Sequence, residues 1–104
     1  MMKIDSISRF KRAFKKLPED IQSLYFEKMH QFKDDWQHPS FRAKRVQGTD
    51  NVWEASLNMS IRFTFEWITV ENGEDVFLMR NIGDHDSLSQ TAILILKLKE
   101  VEGR

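Results

Sequence analysis

The sequence predicts an α+β domain: an N-terminal helical hairpin packed on a four-stranded, mainly antiparallel twisted sheet, with a short C-terminal helix or extra strand. Three observations carry that expectation. Apolar residues recur at spacings of three and four over the first third of the chain. Apolar and polar residues then alternate within Val52 to Leu57 and again within Ser60 to Trp67. Glu71-Asn72-Gly73-Glu74 supplies a hairpin signal before one further strand-like run.

The first element is a short helix. Ser6 or Ser8 can cap it, and Ile7, Phe10, Phe14 and Leu17 fall on one side. Pro18 ends it and suits the first turn of a longer second helix, where Glu19 and Asp20 are favourable against the helix dipole. Ile21, Leu24, Tyr25, Met29, Phe32 and Trp36 form one stripe along that helix, which ends near His38-Pro39. A stripe of this kind is core. Strands follow, the first from Ala43 to Gln47 and closed by a Gly48-Thr49-Asp50-Asn51 turn. In the second, Trp53, Ala55 and Leu57 share one face and Val52, Glu54 and Ser56 the other. After a short Asn58-Met59 turn comes the third, where Ile61, Phe63, Phe65 and Trp67 oppose Arg62, Thr64 and Glu66. Asp75 to Ile82 returns as the last strand of the meander. Residues 90–101 contain Ile93-Leu94-Ile95-Leu96 and fit either a terminal helix starting near Ser89 or a strand. In either form they are apolar enough to require a partner surface.

A length of 104 residues fits a single domain, 1–104, with one modest core. A hydrophobic content of 40% with 12% aromatic residues describes a soluble globular chain rather than a disordered one. No apolar run reaches membrane-spanning length and the start lacks the apolar stretch of a signal peptide, so a cytoplasmic protein without membrane contact is expected. The absence of cysteine fits that compartment. His30, His38 and His85 show no ligand-like spacing, so neither a metal site nor a cofactor is expected. Sixteen basic and sixteen acidic residues cancel, which argues against a dedicated nucleic-acid binder. The charges are nevertheless uneven. Arg9 to Lys16 carries five cations and no anion, and Arg42, Lys44 and Arg45 add three, although a solvated helix face is the ordinary reading of such runs.

The stretch richest in chemistry is Leu78-Met79-Arg80-Asn81-Ile82-Gly83-Asp84-His85-Asp86. Gly83 can end the last strand in a tight turn that presents His85 at the end of the sheet near Arg80. Histidine titrates close to working pH, and Asp84 and Asp86 can fix its tautomer. An ordinary surface turn has the same composition. Strand alternation adds to this group. If Phe63 and Phe65 meet the helices, Arg62 stands on the opposite face with Glu54, and Arg80 joins them if the last strand's register agrees. Lys44 or Arg45 can reach the same face. Paired arginines suit a phosphodiester, and they are equally at home as cross-strand solubility residues.

The series Phe14-Lys15-Lys16-Leu17-Pro18, Pro39-Ser40-Phe41, Val52-Trp53-Glu54-Ala55, Ile61-Arg62-Phe63 and Asn81-Ile82-Gly83-Asp84-His85-Asp86 resembles the RelE/ParE superfamily of bacterial toxins. More narrowly it resembles the branch whose last strand ends in a Gly-x-His-Asp turn. The likeness spans about residues 7 to 88. It implies the helical hairpin and antiparallel sheet already read, and the toxin of a type II toxin–antitoxin system. RelE-type members are endoribonucleases that cut messenger RNA on the ribosome, the RNA's own 2′-hydroxyl attacking the adjacent phosphate. By motif position the resemblance makes Arg62 a phosphate-stabilising residue and His85 a base or acid. It gives Arg80 a basic last-strand position and Glu54 a second proton-transfer role. It sets Lys44, Arg45 and Asp86 among the RNA contacts. The implied partners are an antitoxin, the ribosome and messenger RNA, with the C-terminal segment available to the antitoxin or to a homodimer contact. Two features depart from the pattern: relatives often place an aromatic soon after His-Asp where this chain has Ser87-Leu88-Ser89-Gln90, and ribosome-directed members are usually strongly basic. A non-catalytic binder, either a ParE-like gyrase inhibitor or an inactive interaction module, is the alternative.

Overall fold

The structure, a computed structural model, describes residues 3–84. His85, Asp86 and the segment 90–101 lie outside them. The element order is β1 (Lys3–Ser6), α1 (Ser8–Lys15), α2 (Glu19–Asp34), a single 3-10 turn (Pro39–Phe41), β2 (Lys44–Arg45), β3 (Val52–Ser56), β4 (Arg62–Thr69) and β5 (Asp75–Gly83). The strands form one sheet in the order β1-β5-β4-β3-β2, with β1 parallel to β5 and every other pair antiparallel. Two helices on a mainly antiparallel sheet make this the expected α+β class.

The sheet has five strands where four were expected. The residues taken as a helix cap and its approach are β1, in register from Lys3↔Val76 to Ser6↔Met79. Only one of its four residues, Ile4, is apolar and packed against the core, so no period could mark it as a strand. What orders it is the edge of the nine-residue β5, whose Met79 carbonyl also accepts from the Ile7 amide at 3.1 Å. Neither serine caps α1. Ile7 holds the N-cap position in extended conformation, without a side-chain hydrogen bond.

The turn between the helices is fixed by Gln22. Its Nε2 donates to the carbonyls of Phe14 and Leu17 at 3.2 and 3.0 Å, satisfying oxygens that the end of α1 leaves without partners. Pro18 precedes α2 as its N-cap and accepts through its carbonyl from the Ile21 and Gln22 amides. The predicted stripe on α2 is buried at Tyr25, Met29 and Phe32, although the helix stops at Asp34 and Trp36 lies beyond it. Phe32 is the centre of the core. Its ring meets those of Phe41, Phe63, Phe65 and Phe77 with centroids 5.0 to 5.4 Å apart, in edge-to-face or tilted geometry. Burying one such ring stabilises the fold by about 2 kcal/mol. Phe63 and Phe65 therefore face the helices, which places the intervening residues of β4 on the other side of the sheet.

Candidate active site

The register of the sheet decides which polar side chains meet on the face opposite the helices. Ser56 pairs with Arg62, and Arg62 with Gly83; Lys44 pairs with Glu54, Glu54 with Thr64, and Thr64 with Asn81; Val52 pairs with Glu66, and Glu66 with Leu78. Cross-strand partners share a face, so Glu54, Arg62, Thr64 and Glu66 stand together with Lys44 beside them. Arg62 is set immediately after a turn that Asn58 holds, its Oδ1 accepting from the Ser60 and Ile61 amides at 2.8 and 2.7 Å. Arg62 Nη1 then donates to Glu54 Oε1 at 3.1 Å.

Arg80 reaches this face by alternation with the helix-facing Phe77 and Met79, and an irregularity follows. Thr64 opposes Asn81 while Phe65 opposes Met79, so Arg80 is an extra residue in β5, a β-bulge. Without it, simple alternation from Phe77 and Met79 would turn Asn81 toward the helices and Ile82 away from them. With it, Ile82 is buried in the core and both Arg80 and Asn81 lie on the opposite side. Arg80 Nη1 donates to Glu66 Oε1. The four charged side chains are only 14 to 29% exposed, so each ion pair is held well out of bulk water. Thr64 lies between the pairs with no exposed surface. Its hydroxyl, and Arg80 Nε, have no hydrogen-bond partner among the described residues.

The structure thus brings together Arg62, Arg80, Glu54 and Lys44. It separates Arg45, which pairs with Trp53 and sets its guanidinium over that indole at 5.3 Å, on the helix side of the sheet. The expected first strand, Ala43 to Gln47, is only Lys44–Arg45, and these two residues point to opposite faces. Gly83 is the last residue of β5 and pairs with Arg62; the left-handed glycines among the described residues are Gly48 and Gly73. Two members of the face, Thr64 and Glu66, were assigned to it by alternation but not recognised as site residues. Glu66 opposes Leu78 and lies diagonal to Arg80, whereas the presence of Asn81 on this face depends on the bulge, which leaves no mark in the pattern of β5. Chemically, two guanidinium groups anchored by carboxylates form a rigid surface suited to a phosphate, and Glu54 is a carboxylate within hydrogen-bonding reach of one of them.

No family model and no characterised protein sequence matches this chain. Solved structures do. The E. coli DinJ–YafQ toxin–antitoxin complex contains a chain matched at 10% identity with a TM-score of 0.66, over 84% of this chain and 96% of that one. The archaeal RelE–RelB complex from Pyrococcus horikoshii OT3 is matched at 14% identity with a TM-score of 0.61, over 80% and 93%. The intact E. coli RelBE toxin–antitoxin complex is matched at 13% identity with a TM-score of 0.59, over 79% and 94%. Helical hairpin, sheet and their order are common to all of these, and the chain accordingly has the RelE-like toxin fold.

Proposed function

We propose that this protein is the toxin of a type II toxin–antitoxin pair, acting in the cytoplasm as an endoribonuclease on ribosome-bound messenger RNA. The observation that carries the reading is the arginine surface: Arg62 anchored by Glu54 at 3.1 Å, with Arg80 on the same face and anchored by Glu66. In the proposed reaction the RNA 2′-oxygen attacks phosphorus, a 2′,3′-cyclic phosphate forms, and the bond to the 5′-oxygen breaks. Arg62 and Arg80 stabilise the charge on the phosphoryl oxygens. Glu54 and His85 divide the two proton transfers, one taking the 2′-proton and the other supplying the 5′-oxygen. The covalent chain tethers His85 two residues from Gly83, the cross-strand partner of Arg62. Asp86 orients the imidazole, and Lys44 contacts the RNA backbone. The fold-mates are complexes of a toxin with its antitoxin, which supports a protein antitoxin as the partner here.

The test is induced expression in a bacterial host with mapping of messenger RNA 5′ ends. Wild type should produce new ends within codons. Arg62→Ala and His85→Ala should each reduce them about a hundredfold while remaining folded. Both variants cutting at the wild-type rate would remove the site. One observation favours a second reading, a non-catalytic toxin-fold binder. The charges of both arginines cancel pairwise, Arg62 with Glu54 and Arg80 with Glu66, which leaves Lys44 as the net charge of the face and little attraction for a phosphate. Growth arrest without RNA cleavage, or no arrest at all, supports that alternative.

A further inference from the structure

A cleft of about 330 Å³ opens beside Arg62, where α2, the 3-10 turn and the β3–β4 turn meet. Three cations line it, Lys28 from α2, Arg42 from the end of the 3-10 turn and Arg62 from the start of β4, and no carboxylate does. Neither Lys28 nor Arg42 forms an ion pair among the described residues. Lys28 is steadied by the buried Phe41, its Nζ lying 5.7 Å from the ring centroid. Arg42 has φ +47, the one left-handed non-glycine residue among those described. A side chain is harder to hold there than none, so a long cation at this corner is a feature the local backbone does not favour. Asn58 also lines the cleft; two backbone amides occupy its Oδ1, which leaves its amide hydrogens to offer a ligand. The remaining wall includes Leu57 and the exposed Met59, an apolar surface next to the cations.

We propose that this cleft is a nucleotide subsite, holding a phosphate between Lys28, Arg42 and Arg62 with the attached sugar and base against Leu57 and Met59. Lys28 and Arg42 bring two positive charges that no described carboxylate pairs, and Arg62, shared with Glu54, adds further guanidinium donors, which together match a phosphate ester. Because Arg62 belongs both to the cleft and to the arginine face, a strand of RNA crossing that face runs directly into it. The assignment to RNA rests on the endoribonuclease reading, whereas nucleotide binding can be measured without any cleavage.

The experiment is titration of the ¹⁵N-labelled protein with uridine 3′-monophosphate, and with inorganic phosphate, at low salt. Uridine 3′-monophosphate should shift the Lys28, Arg42 and Asn58 amides saturably, and phosphate alone should shift them more weakly. The Lys28→Gln/Arg42→Asn double variant should lose this binding, asparagine being chosen because it tolerates the left-handed backbone. Lys33→Gln, which removes one exposed charge elsewhere on α2, should retain it. In the 5′-end assay the double variant should cut about tenfold more slowly while melting like the wild type. Absence of saturable shifts overturns the proposal, as does unchanged cleavage by the double variant. A double variant that binds nucleotide normally but has lost affinity for an antitoxin overturns it too and marks a protein-docking site. Nucleotide binding by a wild-type protein that makes no cuts supports the cleft and removes the catalytic reading alone.

Discussion

Thr64 has no exposed surface, and its hydroxyl has no hydrogen-bond partner among the described residues. A buried hydroxyl in that state gives up its bonds to water on folding and gains nothing in return. Thr64→Val keeps the shape and removes the unpaired oxygen, so it should stabilise the fold by about 1 kcal/mol in urea unfolding. A loss of stability instead would show that the hydroxyl is bonded. Tyr25 offers a second test. It is 5% exposed, and burial pushes its phenol above the ordinary value near 10. The unfolded chain then releases the proton at lower pH than the folded one. Stability is therefore unaffected below about pH 10 and falls above it as the unfolded state ionises. Between pH 9 and pH 11 wild type should lose about 1 kcal/mol more than Tyr25→Phe, and equal losses would mean the phenol is not held neutral by the fold. Residues on regular strands were readable in advance. Glu54 and Arg62 stand where period-two alternation placed them, because both strands keep their register across that pairing. Asn81 on the same face as Arg80 was not, since one inserted residue reverses the alternation beyond it.

Among elements, legibility followed length and local chemistry. The β4–β5 hairpin was marked by Asn72-Gly73, and the structure shows why: Gly73 has φ +86, its amide donates to the Val70 carbonyl at 2.9 Å, and Asn72 Oδ1 accepts from the Glu74 amide at 2.9 Å. A methyl group added at Gly73 would meet nothing within 4 Å, so only the backbone resists it. Gly73→Ala should destabilise by about 1 kcal/mol and Gly73→Asn by less, measured by thermal melting. Equal losses would point to a cause other than left-handed strain. By contrast, β1 is four residues long and was not expected, whereas β2, expected over Ala43 to Gln47, is only Lys44–Arg45. A four-residue strand with a single apolar residue packed on the core has no period to announce it. The bulge in β5 is of the same kind. It exists because Ile82 is buried on the helix side while Asn81 is accommodated opposite, a compromise settled by packing rather than by propensity.

At the scale of the whole molecule the charge balance sets what kind of RNA contact is possible. With sixteen charges of each sign the chain has no net field to draw a polyanion from a distance, so any affinity must come from local cations. Two groups compete for that role. Arg62, Lys28 and Arg42 converge on one cleft beside the arginine face, whereas Arg9, Lys11, Arg12, Lys15 and Lys16 are exposed along and just beyond α1. Each phosphate of a single strand that a cation neutralises contributes about −0.7 to the slope of log K against log salt. Binding of the one phosphate held in the cleft therefore predicts a slope of about −0.7, and binding of a separate phosphate by each of the five helix cations one steeper than about −3. The first value is expected for a 2′-O-methylated, uncleavable oligonucleotide, with the Lys28→Gln/Arg42→Asn double variant bringing it close to zero and Lys11→Gln leaving it unchanged. The reverse pattern would move the RNA to α1 and leave the carboxylate-anchored arginines as cross-strand partners that hold the sheet together. Under the expected pattern, a neutral protein grips RNA only where α2, the left-handed Arg42 and the Asn58 turn have brought its cations together.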